Sequence, residues 1–231
     1  MNVLALDTSG DHAILGLAIG SELVLESVCD GSRRHGRDLI PGVRDLLRRA
    51  GVGPRDLDLV GVGLGPGSYT GIRIGLTAAR TLAHAVGARV AGFDSLEAFA
   101  LGAPAEALKI HVVGDAQRGD VYRADFRRTE PGAPLDRPGP TRIEPCGAWP
   151  ASLEPGSWVV GPGLGSDSIR ALLPPGVVAL DLDLNRLSGR ALLALTRRVD
   201  ETEPSRDPWA LEPNYLRRSA AEDQWDARGQ R

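Results

Sequence analysis

Three short apolar runs open the chain and predict three β-strands. The first, NVLAL, leads into Asp7; the second, AILGLAI, covers residues 13–19; the third, ELVLESV, alternates apolar and polar positions over residues 22–28. Runs of this length and alternation are typical of strands. The dipeptide Gly20-Ser21, between the second and third runs, is a two-residue hairpin signal. We therefore predict an antiparallel three-stranded meander.

A helical period replaces this pattern over residues 38–50. Its apolar positions share one face, at spacings of three and four: Leu39, Ile40, Val43, Leu46 and Leu47. Pro41 is tolerated only in the first turn of a helix, which places the predicted start near Asp38. An internal strand at residues 59–64, a helix at residues 72–86, a fifth strand and a third helix complete the order βββαβαβα.

The same order restarts in the second half of the chain. The run IHVVGD ends at Asp115 as the first run ends at Asp7, and VYRADF then corresponds to AILGLAI. Two strand–acid–turn–strand units at matching positions indicate an internal repeat. We predict an N-terminal lobe over residues 1–104 and a smaller, related C-terminal lobe over residues 105–213.

Three segments complete the predicted C-terminal half. Residues 129–156 are rich in proline and glycine and predict a surface insertion with little regular structure. A further strand, a short helix and another strand lead to a helix over residues 188–199. The polar tail, residues 214–231, is predicted to be frayed at its end.

Composition narrows the class of protein. The chain has 231 residues, a formal net charge of -3 and a pI of about 5.8. Because binding of nucleic acid over a large surface depends on clustered positive charge, these values argue against such binding by this chain alone. Cys29 and Cys146 are far apart, and we interpret them as unrelated thiols. The N-terminus lacks the pattern of a signal peptide, and no apolar run approaches the ~20 residues of a membrane span. We expect a cytoplasmic protein.

The stretch GVGLGPGSYTGIRIGLTAARTLA joins a glycine-rich loop to a helix and raises the question of phosphate binding. A P-loop requires a lysine after its last glycine, but the only lysine is Lys109, outside the loop. The G-x-G-x-x-G pattern fails as well, because Ser68 and Thr70 occupy the sixth positions. A looser anion site at the helix start stays open, although helix capping is the favoured role of both hydroxyls.

The sequence gives little support for a metal site or for a catalytic nucleophile. His12, His35, His84 and His111 have no metal-binding spacing, and the chain has no G-x-S-x-G motif. Asp7 and Asp115 are candidates for acid–base work or for holding a hydrated magnesium ion. The favoured interpretation is that each is a turn acid, hydrogen-bonded to nearby N–H groups.

Small residues recur every four positions along the second helix. They form one ridge: Gly71, Gly75, Ala79 and Ala83. A glycine inside a helix costs about 1 kcal/mol relative to alanine, so the ridge needs a compensating close contact. Packing within this chain and docking of a partner protein are equally compatible with the pattern.

These motifs together resemble the TsaB (YeaZ) family of bacterial threonylcarbamoyladenosine biosynthesis proteins. The likeness rests on LALDTSGDHAILGLA, RRHGRDLIPGVRDLLRRAG, GPGSYTGIRIG, DSLEAFA, GDAQRGDVYRADF and PNYLR, in this order. It implies an actin-like ATPase (ribonuclease H-like) fold with two related lobes, the second degenerate. In that superfamily the acidic turns serve ATP and its metal. A vestigial nucleotide site would then comprise Asp7, Thr8, Ser9, Gly65, Gly67, Ser68 and Asp115.

The resemblance also implies a role without catalytic or metal-binding residues. Such a subunit pairs with the transferase TsaD through the first two helices, and the ATPase TsaE joins them. The complex modifies the adenosine next to the anticodon of tRNAs that read ANN codons, and most tRNA contact falls to the other subunits. The implied interface comprises Leu39, Val43, Leu46, Leu47, Gly71, Arg73, Gly75, Leu76, Ala79 and Ala83.

No cofactor is implied, apart from a nucleotide at the junction with the partner. Two alternatives stay open. One is an independent nucleotide-dependent enzyme that uses Asp7, Asp115 and the loop at residues 65–68. The other is a homodimer formed through the same helices in the absence of TsaD.

Overall fold

The computed structural model describes residues 1–29, 35–181, 185–205 and 207–217. The predicted frayed end of the tail, residues 218–231, lies outside the described residues. Within those ranges, no helix combines the length and the apolar character needed to cross a bilayer.

The first five strands form one mixed sheet. These strands are β1 (Asn2–Asp7), β2 (Ala13–Ile19), β3 (Glu22–Cys29), β4 (Leu59–Gly63) and β5 (Arg89–Phe93), and their spatial order is β3-β2-β1-β4-β5. The first three strands pair antiparallel, while β4 and β5 run parallel to β1. The predicted meander is confirmed.

Two helices cover one face of this sheet. Helix α1 (His35–Ala50) and helix α2 (Tyr69–Val86) pack their apolar stripes on the side chains of β1, β2 and β4. Helix α2 begins at a Ser68 cap, whose Oγ accepts a hydrogen bond from Gly71 N, and ends at Gly87 in a left-handed conformation. Helix α1 begins earlier than predicted, so Pro41 lies in its second turn. Its ring is exposed, where loss of a helical hydrogen bond costs least because water replaces the partner.

The second sheet repeats the topology of the first. Its strands are β6 (Lys109–Gln117), β7 (Asp120–Arg127), β8 (Arg142–Pro145), β9 (Trp158–Val160) and β10 (Val178–Ala179), in the order β8-β7-β6-β9-β10. Again the first three strands pair antiparallel and the last two run parallel to the central one. This repeat confirms the predicted actin-like fold with two related α/β lobes.

The proline- and glycine-rich insertion is more structured than predicted. It supplies strand β8 and a short 3₁₀ turn at Trp149–Ser152. The Trp149 side chain is fully buried and packs in a cluster with Val121, Val159 and Ile169 on the second sheet. The prediction of little regular structure is therefore wrong for this part, because the insertion closes an apolar face that the sheet would otherwise expose.

The remaining α-helices differ in the sheet that they cover. They are α3 (Ser95–Leu101), the four-residue α4 (Asp167–Arg170) and α5 (Gly189–Thr202). The sequence assigned α5 to the C-terminal lobe, but its Leu192 and Leu195 pack with Val3 and Leu59 on the free face of the first sheet. Helix α5 therefore completes the core of the N-terminal lobe.

Candidate functional site

The turn after β1 holds a fully buried carboxylate. Asp7 Oδ1 accepts hydrogen bonds from Ser9 N at 2.7 Å and Ser9 Oγ at 2.6 Å, while Oδ2 is buried without a hydrogen-bond partner. Burial raises the pKa of Asp7, outweighing the hydrogen bonds from Ser9. Burial therefore makes ionisation of this carboxyl group less favourable than that of an exposed aspartate.

The glycine-rich loop is closed onto that same turn. Ser68 N donates to Ser9 O at 2.7 Å, and Thr8 Oγ1 donates to Gly71 O at 2.7 Å. A Cβ atom on Gly67 would lie 2.4 Å from Ser9 O. The glycine-rich loop is therefore packed against the backbone of the β1 turn, which brings Gly67 and Ser68 next to Ser9.

The ridge of small residues on α2 faces the interior of this chain. A Cβ atom on Gly71 would lie 2.0 Å from Thr8 O, and one on Gly75 would lie 2.2 Å from Thr8 Oγ1. Ala79 and Ala83 are fully buried. The close backbone approach predicted from these positions exists, but it is made with the end of β1.

This packing corrects the predicted partner interface. Nine of its ten residues are buried within the chain itself: Leu39, Val43, Leu46, Leu47, Gly71, Gly75, Leu76, Ala79 and Ala83. The spacing of these positions was visible in the sequence, but the neighbour that covers them was not. Only Arg73 of the predicted set is exposed.

Asp115 has the same local bonding as Asp7 and a different environment. Its Oδ1 accepts a hydrogen bond from Gln117 N at 2.6 Å, two residues ahead, as Asp7 Oδ1 does from Ser9 N. The side chain is exposed, however, whereas that of Asp7 is fully buried. The favoured interpretation of both as turn acids agrees with these bonds.

An apolar groove lies between α1 and α2 on the outer surface. We call it the α1–α2 groove; it has a volume of about 780 Å³ and Leu39 at its floor. Its apolar residues are Ile40 from α1 and Ile74, Ala78, Leu82 and Ala85 from α2. Ile40 is 55% exposed. The α2 members repeat at spacings of four, four and three, so the sequence carried the signal for a second stripe beside the small-residue ridge.

An aromatic contact closes one end of this groove. Arg73 lines the groove, and its guanidinium lies 4.0 Å from the centroid of the Tyr69 ring. Tyr215 stacks on Tyr69 with centroids 4.7 Å apart and accepts a hydrogen bond from Arg73 Nε at 2.8 Å. The C-terminal segment, residues 207–217, thus reaches the start of α2.

A polar cavity lies on the outer face of the second sheet. It has a volume of about 250 Å³ and is lined by Lys109, His111, Arg123 and Asp125, among others. Although burial alone would raise it, hydrogen bonds from His111 and Arg123 hold the pKa of Asp125 below its usual value. Arg123 also contacts Glu144. These charges satisfy one another and form a closed structural network.

No group of three or more His, Cys, Asp and Glu side chains that could hold a metal ion occurs among the residues that the structure describes.

Comparison with known proteins identifies the family. A family model described as TsaD, tRNA N6-adenosine threonylcarbamoyltransferase, matches residues 30–133. TsaB of Bacillus subtilis is 37% identical over 124 residues, which is 53% of each chain, so this match spans about half the length of the relative. An uncharacterized protein of Mycobacterium tuberculosis is 32% identical over 221 residues, covering 95% of this chain and 93% of the relative.

The solved structure of YeaZ from Pseudomonas aeruginosa superimposes over almost its whole length. The TM-score is 0.77 at 28% identity, and the match covers 93% of this chain and 99% of that one. Full-length relatives in both sequence and structure, together with shorter matches named TsaB, agree with the motifs of the β1 turn and the α2 loop. The chain belongs to the TsaB (YeaZ) family.

Proposed function

We propose that this chain is a non-catalytic subunit in tRNA threonylcarbamoyladenosine biosynthesis, where it binds and activates TsaD. The modified site is the adenosine beside the anticodon of tRNAs that read ANN codons, and TsaE joins the assembly in the cytoplasm. The observation that carries the proposal is the α1–α2 groove. Its support is the family membership and the match of residues 30–133 to the TsaD model.

The groove has the properties of a docking surface. The branched apolar side chains of Ile40, Ile74 and Leu82 line it; Ile40 is exposed, and the other two are half-buried. Contiguous exposed apolar surface of this kind marks interaction sites. Burial is worth about 25 cal/mol per Å² of apolar area, so a partner helix that fills the groove gains affinity without any new ion pair.

A charged substitution in the groove tests the proposal. Ile40→Asp places a carboxylate in the proposed interface, while Leu172→Asp makes the same kind of change at a residue of the second lobe that is 39% exposed. We expect Ile40→Asp to weaken binding to the cognate TsaD by at least ~30-fold, because it replaces an apolar contact with a charged group that must lose water when the partner docks. The control should bind as wild type does.

Binding and activity should change together. Calorimetry gives the affinity, reconstituted tRNA modification measured by mass spectrometry gives the activation, and circular dichroism checks the fold. Wild-type affinity in both Ile40→Asp and Ala78→Glu, each folded, would contradict the proposal.

We further propose that the isolated chain binds no nucleotide, and that any nucleotide in the assembly lies at the junction with TsaD. The support is the closed contact between Ser68 N and Ser9 O and the burial of Asp7. Calorimetry of the isolated chain with ATP and magnesium should give no saturable heat. Tight binding that Asp7→Asn abolishes would instead favour an independent nucleotide-dependent enzyme.

A further inference from the structure

Positive charge is concentrated on the two helices that border the groove. Helices α1 and α2 contain six arginines and two aspartates, a formal charge of +4, whereas the whole chain carries -3. Helix α2 has no acidic residue at all. The helix pair therefore differs in sign from the rest of the chain taken together.

The arginines lie beside the apolar positions of the groove. Arg37 and Arg44 stand three residues before and four residues after Ile40, which places all three side by side on α1. Both arginines are exposed. Arg73 lines the groove from the side of α2.

The two aspartates of α1 offset part of this positive charge and leave a net excess of arginines at the edge of the groove. Asp45 pairs with Arg48 at 2.8 Å and with Arg49 at 3.7 Å, and Asp38 lies 3.4 Å from Arg37 Nε at the surface. Arg44 makes no ion pair with any residue that the structure describes. The centre of the face is therefore apolar, and its edge is basic.

We propose that the occupant of the α1–α2 groove is a partner protein whose docking surface has an apolar centre and an acidic edge, with carboxylates opposite Arg37, Arg44 and Arg73. This inference rests on the proposed function and specifies the surface that TsaD must present. Complementary charge accelerates association and selects the correct partner.

The same charges disfavour a second copy of this chain in the groove. A two-fold dimer presents the same patch from both sides, so a copy of the helix pair would face another with a charge of +4. Exposed like charges repel most strongly at low ionic strength, because the screening length is then long. Binding of the acidic partner and self-association should therefore respond to salt in opposite directions.

Charge reversal at the rim tests the inference. The double variant Arg37→Glu/Arg44→Glu alters the edge of the groove and leaves its apolar centre intact. The matched control, Arg127→Glu/Arg190→Glu, makes the same change in net charge at two exposed residues on other elements. The probe is the purified cognate TsaD, with association and dissociation rates measured by surface plasmon resonance at about 50 and about 500 mM NaCl.

We expect the wild-type association rate to fall at least ~10-fold between the lower and the higher salt concentration. At the lower concentration the rim variant should associate at least ~10-fold more slowly than wild type, and at the higher one the two should converge. The control should stay within about threefold of wild type. A rim variant that associates as fast as wild type, or salt-independent wild-type rates, would overturn the inference.

Two further measurements separate this inference from the proposed function. If Ile40→Asp abolishes TsaD binding while the rim variant does not, the groove is the docking site and only its charge character is wrong. If neither variant affects binding, the proposed docking site is itself wrong. Sedimentation velocity of the chain alone should show no self-association, or self-association that weakens as salt is lowered. A dimer that strengthens at low salt and is lost in Ile40→Asp would assign the groove to a second copy.

Discussion

Asp7 is a buried acid in the turn that follows β1. The carboxyl group is completely buried, one oxygen binds the following turn, and the other has no partner. Its pKa is raised because burial penalises the charged form. Ionisation of Asp7 therefore opposes folding.

The raised pKa of Asp7 predicts a pH dependence of stability. Above the unfolded value of 3.8, the folded state retains a proton that the unfolded state releases. Since stability falls with pH wherever the folded state binds more protons, this group costs free energy as pH rises from 3.8 to the raised folded pKa. Asp7→Asn should remove that slope and unfold at higher denaturant concentration near neutral pH.

Chemical denaturation of the wild type and Asp7→Asn across this pH range measures the difference. Asp115→Asn is the control, because Asp115 makes the same turn hydrogen bond at an exposed position. Equal slopes for wild type and Asp7→Asn would contradict the assigned protonation.

Gly75 gives a second prediction at the residue scale. A Cβ atom there would lie 2.2 Å from Thr8 Oγ1, which is itself held by its hydrogen bond to Gly71 O. Gly75→Ala should lower the free energy of unfolding by about 1–3 kcal/mol, because overpacking outweighs the gain in helix propensity. Gly36→Ala is the matched control: its Cβ meets only Ile74 Cδ1 at 3.7 Å, so stability should change by less than about 1 kcal/mol. Urea titrations measure the free energy of unfolding of both variants. Equal values for Gly75→Ala and Gly36→Ala would contradict the close packing of Gly75 on Thr8.

The four-residue spacing of small residues on α2 predicted a close contact but not the partner that makes it. Small residues every four positions correctly predicted that a backbone approaches α2 closely. They did not identify the neighbour, because a bare ridge accepts Thr8 of the same chain as readily as a foreign helix. The groove stripe of Ile74, Ala78 and Leu82 was equally visible in the sequence, but burial decides which of two adjacent stripes is free.

The C-terminal segment, residues 207–217, acts as a strap over α2 at the scale of elements. Arg80 donates to Leu211 O, Asn214 N donates to Leu64 O at 2.8 Å, and Tyr215 stacks on Tyr69. Arg217 then pairs with Asp120 of β7. The segment connects the start of α2 with the hairpin of the second sheet, although its polar composition predicted little beyond an ordered beginning.

Removal of one ring should loosen the strap. Tyr215→Ala loses the stacking on Tyr69 and the hydrogen bond from Arg73, interactions that together are worth about 1–3 kcal/mol. Amide hydrogen exchange over residues 214–217 should accelerate, while the core strands keep their protection. Glu212→Ala, at an exposed neighbouring position, should leave exchange unchanged. Unaltered exchange in Tyr215→Ala would mean that the strap is held by its backbone contacts alone.

Strands and helices could be predicted where the pattern of apolar and polar residues within one short segment specifies them. The meander and the order of the first lobe follow from alternation and turn residues, and the repeat in the second half follows from matching runs. Strand β8 was missed because RIEP is short and ends in proline, a composition suited to a sheet edge. Helix α5 was assigned to the wrong lobe because a stripe of leucines does not specify which of two sheets it covers.

The two lobes are joined through a small polar cluster at the scale of the whole molecule. Arg137, in the insertion, donates to Asp94 Oδ2 at 2.8 Å, and Thr141 Oγ1 donates to the same oxygen. Asp94 Oδ1 meanwhile caps α3 by accepting from Leu96 N. One carboxylate thus fixes the start of a helix that packs on β6 and anchors the insertion of the other lobe.

Loss of the Arg137 guanidinium should therefore destabilise the molecule more than loss of a surface ion pair. Arg137→Ala leaves Asp94, which is 11% exposed, with one fewer donor, and we expect a loss of about 1–3 kcal/mol. Arg142→Ala is the matched control, since Arg142 also pairs with an aspartate at 2.8 Å but is 49% exposed. Its loss should cost about 0–1 kcal/mol. In a background that keeps Trp149 as its single tryptophan, fluorescence reports the second lobe, where Trp149 is buried, whereas far-ultraviolet circular dichroism reports the whole chain. If the cluster couples the lobes, the two transitions should coincide in the wild type and in Arg142→Ala and separate in Arg137→Ala; coincident transitions at wild-type stability in Arg137→Ala would refute the coupling.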